Sequence, residues 1–310
     1  HEVVQSIEST TTDSGGSDEI IVGGGADIVI AGFGADFVNY TREGIRVEGD
    51  TGADYILGDS GEAIFDYDAL NTSGIVREIR TTAPEYGSKD FIYAADGPDT
   101  VFGGSAGDTI DGGSDDSTDI AVGDNGYALF DQDGRLIEVS TADHAYGGSD
   151  IITTGNATDY VLGGDDGDTI TTNGGHDIVL GDTGHLTWSQ DTDPPTLVSI
   201  TSPSEDTDHG GDDTIDVGEG NDLAFGGTGS DKLYGRDGHD VLSNYQATVT
   251  IPLPAPESVS RWGDQGIRYL WDQQMSLVGS ENFTPLTKGG DSSTGTGAAV
   301  DSNNVLYGEE

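Results

Sequence analysis

Aspartate recurs in this chain at a fixed step of nine residues. Asp18, Asp27 and Asp36 hold that step, as do Asp90, Asp99 and Asp108, then Asp150, Asp159, Asp168 and Asp177, then Asp213, Asp222, Asp231 and Asp240. Asp54 lies two steps beyond Asp36, and Asp119 ends a turn two residues longer than the rest. Glycine-rich segments such as Gly32-Phe33-Gly34 and Gly218-Glu219-Gly220 precede these aspartates. A turn of that kind aims several backbone carbonyls and one carboxylate at a neighbouring turn, and all of these are hard oxygen ligands. Oxygen-only sites in flexible loops suit Ca2+ better than zinc or copper. The sixteen aspartates are therefore candidate calcium ligands. Aspartates that merely mark solvated turns have no reason to keep a constant step.

The elements that position them follow from the same register. Two places after the aspartates stand Ile20, Val29, Val38, Ile92, Val101, Ile110, Ile152, Val161, Ile170, Val179, Ile215, Ala224, Leu233 and Leu242, an apolar column throughout. Each row thus reads as a tight turn of about six residues and a strand of about three. Two rows make a coil of eighteen residues, and stacked coils make two parallel sheets around a thin core. The expected fold is all-β, a parallel β-roll. An ion is expected between turns eighteen residues apart, as between Asp213 and Asp231 or Asp222 and Asp240.

A second period, near sixty residues, is superimposed. Gly58-Asp59-Ser60-Gly61-Glu62-Ala63-Ile64-Phe65 has relatives at Gly123 to Phe130 and Gly181 to Trp188. In these rows Ala63, Ala128 or Leu186 replaces the register aspartate, and the core position becomes Phe65, Phe130 or Trp188. Each row leads into an expected β-hairpin, near 66–86, 131–146 and 189–208, carrying a D-x-D pair and, in one case, an Asp133-Gly134 turn. Five rows between hairpins would place them on alternating edges, and six, if each hairpin lends one rung strand, on the same edge. The same edge is preferred, because Ile79, Val139 and Ile200 could then be buried together. Residues 1–12 read as a lead-in and 13–247 as the roll. Residues 248–310 read as a C-terminal cap and flexible tail, with Trp262, Tyr269, Trp271 and Met275 in the cap and a last element starting near Asn304.

Composition excludes several functions. The 310 residues carry a formal charge of −47, with 58 acidic and 11 basic side chains. Such a surface repels nucleic acid and anionic membranes. Hydrophobic content is 33% and there are fifty glycines, so the apolar core alone is a weak support for folding. Roughly ten bound calcium ions would offset a little under half of the excess charge. Cysteine is absent, no apolar run reaches membrane-spanning length, and the chain opens at His1 without a visible signal peptide, as expected of a piece of a longer protein. No catalysis is expected. Gly58-Asp59-Ser60-Gly61 resembles a serine-nucleophile context, but its sister rows carry Asn125 and Thr183 in place of Ser60. Gly103-Gly104-Ser105-Ala106-Gly107 lacks the following helix that a nucleophile elbow requires.

Gly226-Gly227-Thr228-Gly229-Ser230-Asp231-Lys232-Leu233-Tyr234 is a full copy of the nonapeptide G-G-x-G-x-D-x-U-x, where U is apolar. With it, residues 13 to 245 resemble the RTX repeat family of secreted bacterial proteins. The row around Ile45 lacks the aspartate, and Gly107 and Gly167 stand directly before theirs, both departures from the pattern. The resemblance implies export by a type I system, an extracellular or cell-surface location and folding triggered by external calcium. It also implies one of two roles. One is a structural or adhesive module, with the hairpins meeting a surface, glycan or protein ligand. The other is an accessory folding and export module of a secreted enzyme. The hairpins favour the first.

Overall fold

The computed structural model describes residues 4–10, 14–47, 50–66, 74–191, 193–202, 209–238, 240–243, 248–250 and 305–307. Two parallel sheets carry the register rows. The first holds nine strands, from Glu19–Ile20 through Phe91–Tyr93, Thr109–Asp111, Ile151–Thr153, Thr169–Thr171 and Thr214–Asp216 to Lys232–Tyr234 and Val305–Tyr307. The second holds eight, from Ile28–Ile30 through Tyr55–Leu57, Thr100–Gly104, Ile120–Asp124, Tyr160–Leu162 and Ile178–Leu180 to Leu223–Phe225 and Val241–Ser243. The chain alternates between them, so the architecture is the expected parallel β-roll. Neighbouring strands pair in register, Ile110 opposite Ile152 and Val161 opposite Val179, and their central side chains meet inside the roll as one continuous apolar column.

The two sheets differ in a way that their triplets explain. Three first-sheet strands, Thr109–Asp111, Thr169–Thr171 and Thr214–Asp216, read polar-apolar-polar, and in Thr169-Ile170-Thr171 the flanking threonines are exposed or half-buried. Most second-sheet strands are apolar at all three positions, as in Tyr160-Val161-Leu162 and Ile178-Val179-Leu180, and all of these residues are buried. A strand that is apolar on both faces needs cover on both. The hairpins supply it.

Gly61–Asp66 with Ile75–Thr81, Gly126–Phe130 with Leu136–Thr141, and His185–Ser189 with Thr196–Thr201 form three hairpins, each with a bulge at the same place. They pair edge to edge in a single antiparallel sheet of eight strands, extended by Ser6–Glu8 and Thr248–Thr250. All three emerge on the same edge of the roll, and Ile79, Val139 and Ile200 are fully buried. The expected row count is corrected. Between successive hairpins run four rung strands, not five or six, because the Ala63, Ala128 and Leu186 rows are the hairpins' own first strands. Four is even, so each hairpin leaves where the previous one left.

This third layer creates a second core. Leu57, Phe102, Val122, Leu162, Leu180 and Phe225 face Ala128, Val139, Leu186 and Leu197 across it. Phe130 meets Tyr55 edge-on at 5.4 Å, and Trp188 meets Tyr160 likewise at 5.1 Å. The core is therefore not the thin column alone. Ser6–Glu8, within the expected lead-in, is a strand of the hairpin sheet. In the expected cap and tail the described residues are two strands, Thr248–Thr250 on the hairpin sheet and Val305–Tyr307 on the first sheet. The aromatic segment around Trp262 and Trp271 lies outside the described residues.

If the hairpin sheet helps hold the roll, Phe102→Ala should cost about 3–5 kcal/mol. The measurement is denaturant unfolding at saturating calcium. A change below about 1 kcal/mol would show that the hairpins are appendages.

Candidate metal centres

All sixteen register aspartates fall into two columns, one along each flank of the roll. In the first, the backbone N–H of Asp18 donates to Oδ1 of Asp36, and the same bond runs on through Asp90, Asp108, Asp150, Asp168, Asp213 and Asp231, at 2.6–3.1 Å. In the second, it runs from Asp27 through Asp54, Asp99, Asp119, Asp159, Asp177 and Asp222 to Asp240, at 2.7–3.1 Å. Successive members are eighteen residues apart in plain coils, and up to 54 apart where an excursion intervenes. The departures from the repeat pattern leave this placement unchanged. Asp108 and Asp168, with Gly directly before them, and Asp119, after its longer turn, occupy ordinary steps.

One oxygen of each of these carboxylates is thus committed to the column, except in Asp18 and Asp27, which open it. The other oxygen is the chemically open one. Oδ2 of Asp36, Asp90, Asp99, Asp108, Asp119, Asp150, Asp168 and Asp213 is buried and accepts no hydrogen bond. Beside it lies a carbonyl of the next turn. The space where a Cβ on Gly103 would sit is bounded by Asp108 Oδ2 and the Gly123 carbonyl, and the same pair bounds Gly163 as Asp168 Oδ2 with Gly181 O. Only glycine leaves that cradle open. Hairpins do not break it: Gly58 with Asp90, Gly123 with Asp150 and Gly181 with Asp213 rebuild it from residues on either side of each insertion. Buried anionic oxygens without donors, flanked by carbonyl oxygens, fit a hard divalent cation such as Ca2+.

The electrostatics agree. Burial first, and then the neighbouring carboxylates, lifts Asp90, Asp119, Asp213 and Asp222 to about 9. Burial likewise lifts Asp99 and Asp177 to about 8, and Asp231 and Asp240 to about 7. It carries Asp108, Asp150 and Asp168 well above the usual carboxylate range. Without a cation, these groups hold protons near neutrality rather than ionise together.

Three buried aspartates escaped the register. Asp59, Asp124 and Asp182 stand at the base of the hairpins, in the Gly-Asp-x-Gly rows. Each clamps two turns through its carboxylate. Asp59 accepts from the N–H groups of Ser88 at 3.1 Å and Ser105 at 2.6 Å, Asp124 from Gly148 and Asp165, and Asp182 from Gly211 and Thr228. Their oxygens are satisfied by protein donors, so they fasten the hairpin return to the next coil. The signal was present in sequence: the aspartate recurs in all three rows while the residue after it varies. The D-x-D pair at Asp131 and Asp133 is turn architecture, since Asp131 accepts from the N–H groups of Asp133 and Arg135 and from the Arg135 guanidinium.

The profile of the RTX calcium-binding nonapeptide repeat matches residues 12–40, 46–63, 87–126, 144–170, 153–185 and 209–242, more than half of the chain. The chain belongs to the RTX calcium-binding nonapeptide repeat family. Most of each hairpin falls in the gaps between the matched segments, so this RTX roll carries its third layer on family-typical coils. No curated protein matches the chain in sequence.

Two measurements follow. Asp168→Asn keeps an acceptor for the Asp150 N–H but loses the anionic Oδ2, so calcium stoichiometry should fall by one or two while the column survives. Asp168→Ala also orphans that N–H, at a further cost of about 1–3 kcal/mol. The pH response has a definite sign. Carboxyls raised in the folded state bind more protons there than in the unfolded chain, whose values lie near 4. Metal-free stability is therefore present in full below about pH 4 and is lost progressively as pH rises from there through the raised values, to about pH 9. In chelator the melting temperature should be higher at about pH 5.5 than at about pH 8.5. The midpoint of calcium binding should move to higher calcium as pH falls, because protons compete for the ligands.

Proposed function

We propose that this chain is a calcium-loaded structural and adhesive module of a secreted protein, one that folds when it meets extracellular calcium. The RTX family is typical of secreted proteins, and no helix among the described residues is long and apolar enough to cross a membrane. The observation that carries the reading is the pair of aspartate columns, with a buried donorless oxygen repeated at one step after another. Each step would hold a Ca2+ between two turns, ligated by the Oδ2 of one aspartate and by turn carbonyls. Seven steps in each column set a ceiling of about fourteen such sites, above the roughly ten expected from charge. When bound, the ion supplies positive charge and crosslinks, and no catalytic chemistry is assigned to it.

The adhesive half of the proposal rests on the hairpin sheet. Its outer face presents Glu62, Arg80, Tyr127, Ser140 and His185 in one cross-strand row. Tyr127 donates to Glu138 at 2.6 Å, and Arg80 pairs with both Glu62 and Glu78. A continuous polar face with fixed donors and acceptors suits an extracellular glycan or protein ligand better than a bare spacer requires. It rides on the roll, so its presentation would depend on calcium.

Circular dichroism during a titration from chelator to about ten millimolar calcium tests the folding claim, since extracellular modules bind at about 10⁻⁴ to 10⁻³ M. A cooperative gain of β signal and of melting temperature is expected. An unchanged spectrum and melting temperature in excess chelator would overturn it.

A further inference from the structure

The second position of the repeat carries aspartate at Asp59, Asp124 and Asp182, and also at Asp50 in the row Asp50-Thr51-Gly52-Ala53-Asp54. The first three have both oxygens occupied by backbone N–H donors. Asp50 has none. It is 2% exposed, and both of its carboxylate oxygens are buried without a donor. Instead it faces two register aspartates: one oxygen from each of Asp27, Asp50 and Asp54 lies within 4.8 Å of the others. Oδ2 of Asp54 is also donorless, while its Oδ1 holds the Asp27 N–H at 2.7 Å. The neighbouring turns bring carbonyls close by, since a Cβ on Gly52 would overlap the Gly25 carbonyl.

We propose that Asp50 makes the Asp27–Asp54 step of the second column a three-carboxylate calcium site, tighter than the single-carboxylate steps of either column. The inference rests on the calcium reading above and adds a ranking within it. Affinity in oxygen sites grows with the number of charged ligands and with rigidity. Three anionic groups around one ion exceed the one anionic oxygen offered at an ordinary step, and a cation between them relieves their mutual repulsion. Magnesium is a poorer fit, because it demands near-ideal octahedral geometry and keeps its waters.

The site also has a mechanical consequence. Asp50 ends an excursion from Asn39 that folds on itself through Tyr40 and Arg46, and its own carbonyl accepts from the Asp96 N–H at 3.3 Å. An ion held by Asp27, Asp50 and Asp54 ties the turn of Gly25 to the turn of Gly52, which abuts that of Gly97. The excursion is then fastened to three successive coils at the N-terminal end of the second column.

The test counts ions retained by the full chain. The calcium-saturated protein is desalted into calcium-free buffer, and bound calcium is read by atomic emission. A site tighter than the rest by at least about tenfold is the last to empty. The parent chain should retain one ion, Asp231→Asn should also retain one, and Asp50→Asn and Asp50→Ala should retain none. Circular dichroism at saturating calcium should be the same for the parent and both Asp50 variants, because removing Asp50 relieves repulsion and leaves the columns in place. An Asp50→Asn chain that retains as much calcium as the parent would overturn the inference. So would a parent that binds calcium at millimolar levels but retains none. A parent that binds no calcium at any concentration would instead overturn the proposed function itself, together with this inference.

Discussion

Stacking identical turns places identical carboxylates one above another, and the whole molecule depends on how that repulsion is relieved. Strands of a sheet lie about 4.8 Å apart, which sets the scale on which consecutive column aspartates meet. Two unit charges at that separation repel by of order 3 kcal/mol even at an effective dielectric near 20. The columns repeat this over step after step, with water excluded. Three escapes exist: the carboxyls take up protons, a cation settles between them, or the coils do not stack. Hydrogen bonds from the backbone occupy Oδ1 at each step and fix the spacing, so the second oxygen cannot move away. The glycines follow from the same constraint. At Gly97 and Gly218, with φ of +137° and +74°, a Cβ would overlap the carbonyl of the preceding turn, and turns held farther apart could not share an ion.

The hairpin sheet answers a different problem. A roll with one thin column between its sheets buries little area for its many ordered glycines. The second sheet is apolar on both faces, and the hairpins convert its outer face into a second core that is not made of carboxylates at all. Apolar burial therefore acts on both faces of the second-sheet strands, and the aspartate columns act at the turns along their flanks. The two are joined at Asp59, Asp124 and Asp182, which bind the end of each hairpin return to the next coil through backbone donors rather than through a metal.

The register made much of this legible. A step of nine, lengthened by two at Asp119, identified the two sheets, the inner column and all sixteen aspartates, because a repeat stacked at fixed pitch converts sequence spacing directly into spatial order. What it left hidden lay off the register. Three-residue strands are too short for periodicity to separate a half-buried from a fully buried strand, so Phe102 and Leu162 gave no sign that their flanks were covered. The hairpins were visible singly, by their turn residues and aromatic rows. Their fusion into one sheet depends on an even rung count, and that count turns on whether the Ala63, Ala128 and Leu186 rows are rungs or hairpin strands. Asp50 was invisible for a related reason: its position in the repeat is the same as that of Asp59, and only its surroundings differ.

The pairing between units explains how calcium can act at a distance from its ligands. Hairpin joins hairpin through one recurring register: Ala128 stands opposite Ile79 just as Leu186 stands opposite Val139, and Ala63 opposite Ile7. Each four-rung unit thus touches its neighbours twice, once through the columns and once through the hairpin sheet. In a stack of this kind, stability is a sum of unit terms and nearest-neighbour terms. On the proposed reading, a cation that secures one step of a column orders the two coils beside it, and those coils seat the hairpin between them. The seated hairpin offers its edge to the next. Ion binding along the flanks would thereby be converted into the continuity of a surface on which no ligand aspartate lies.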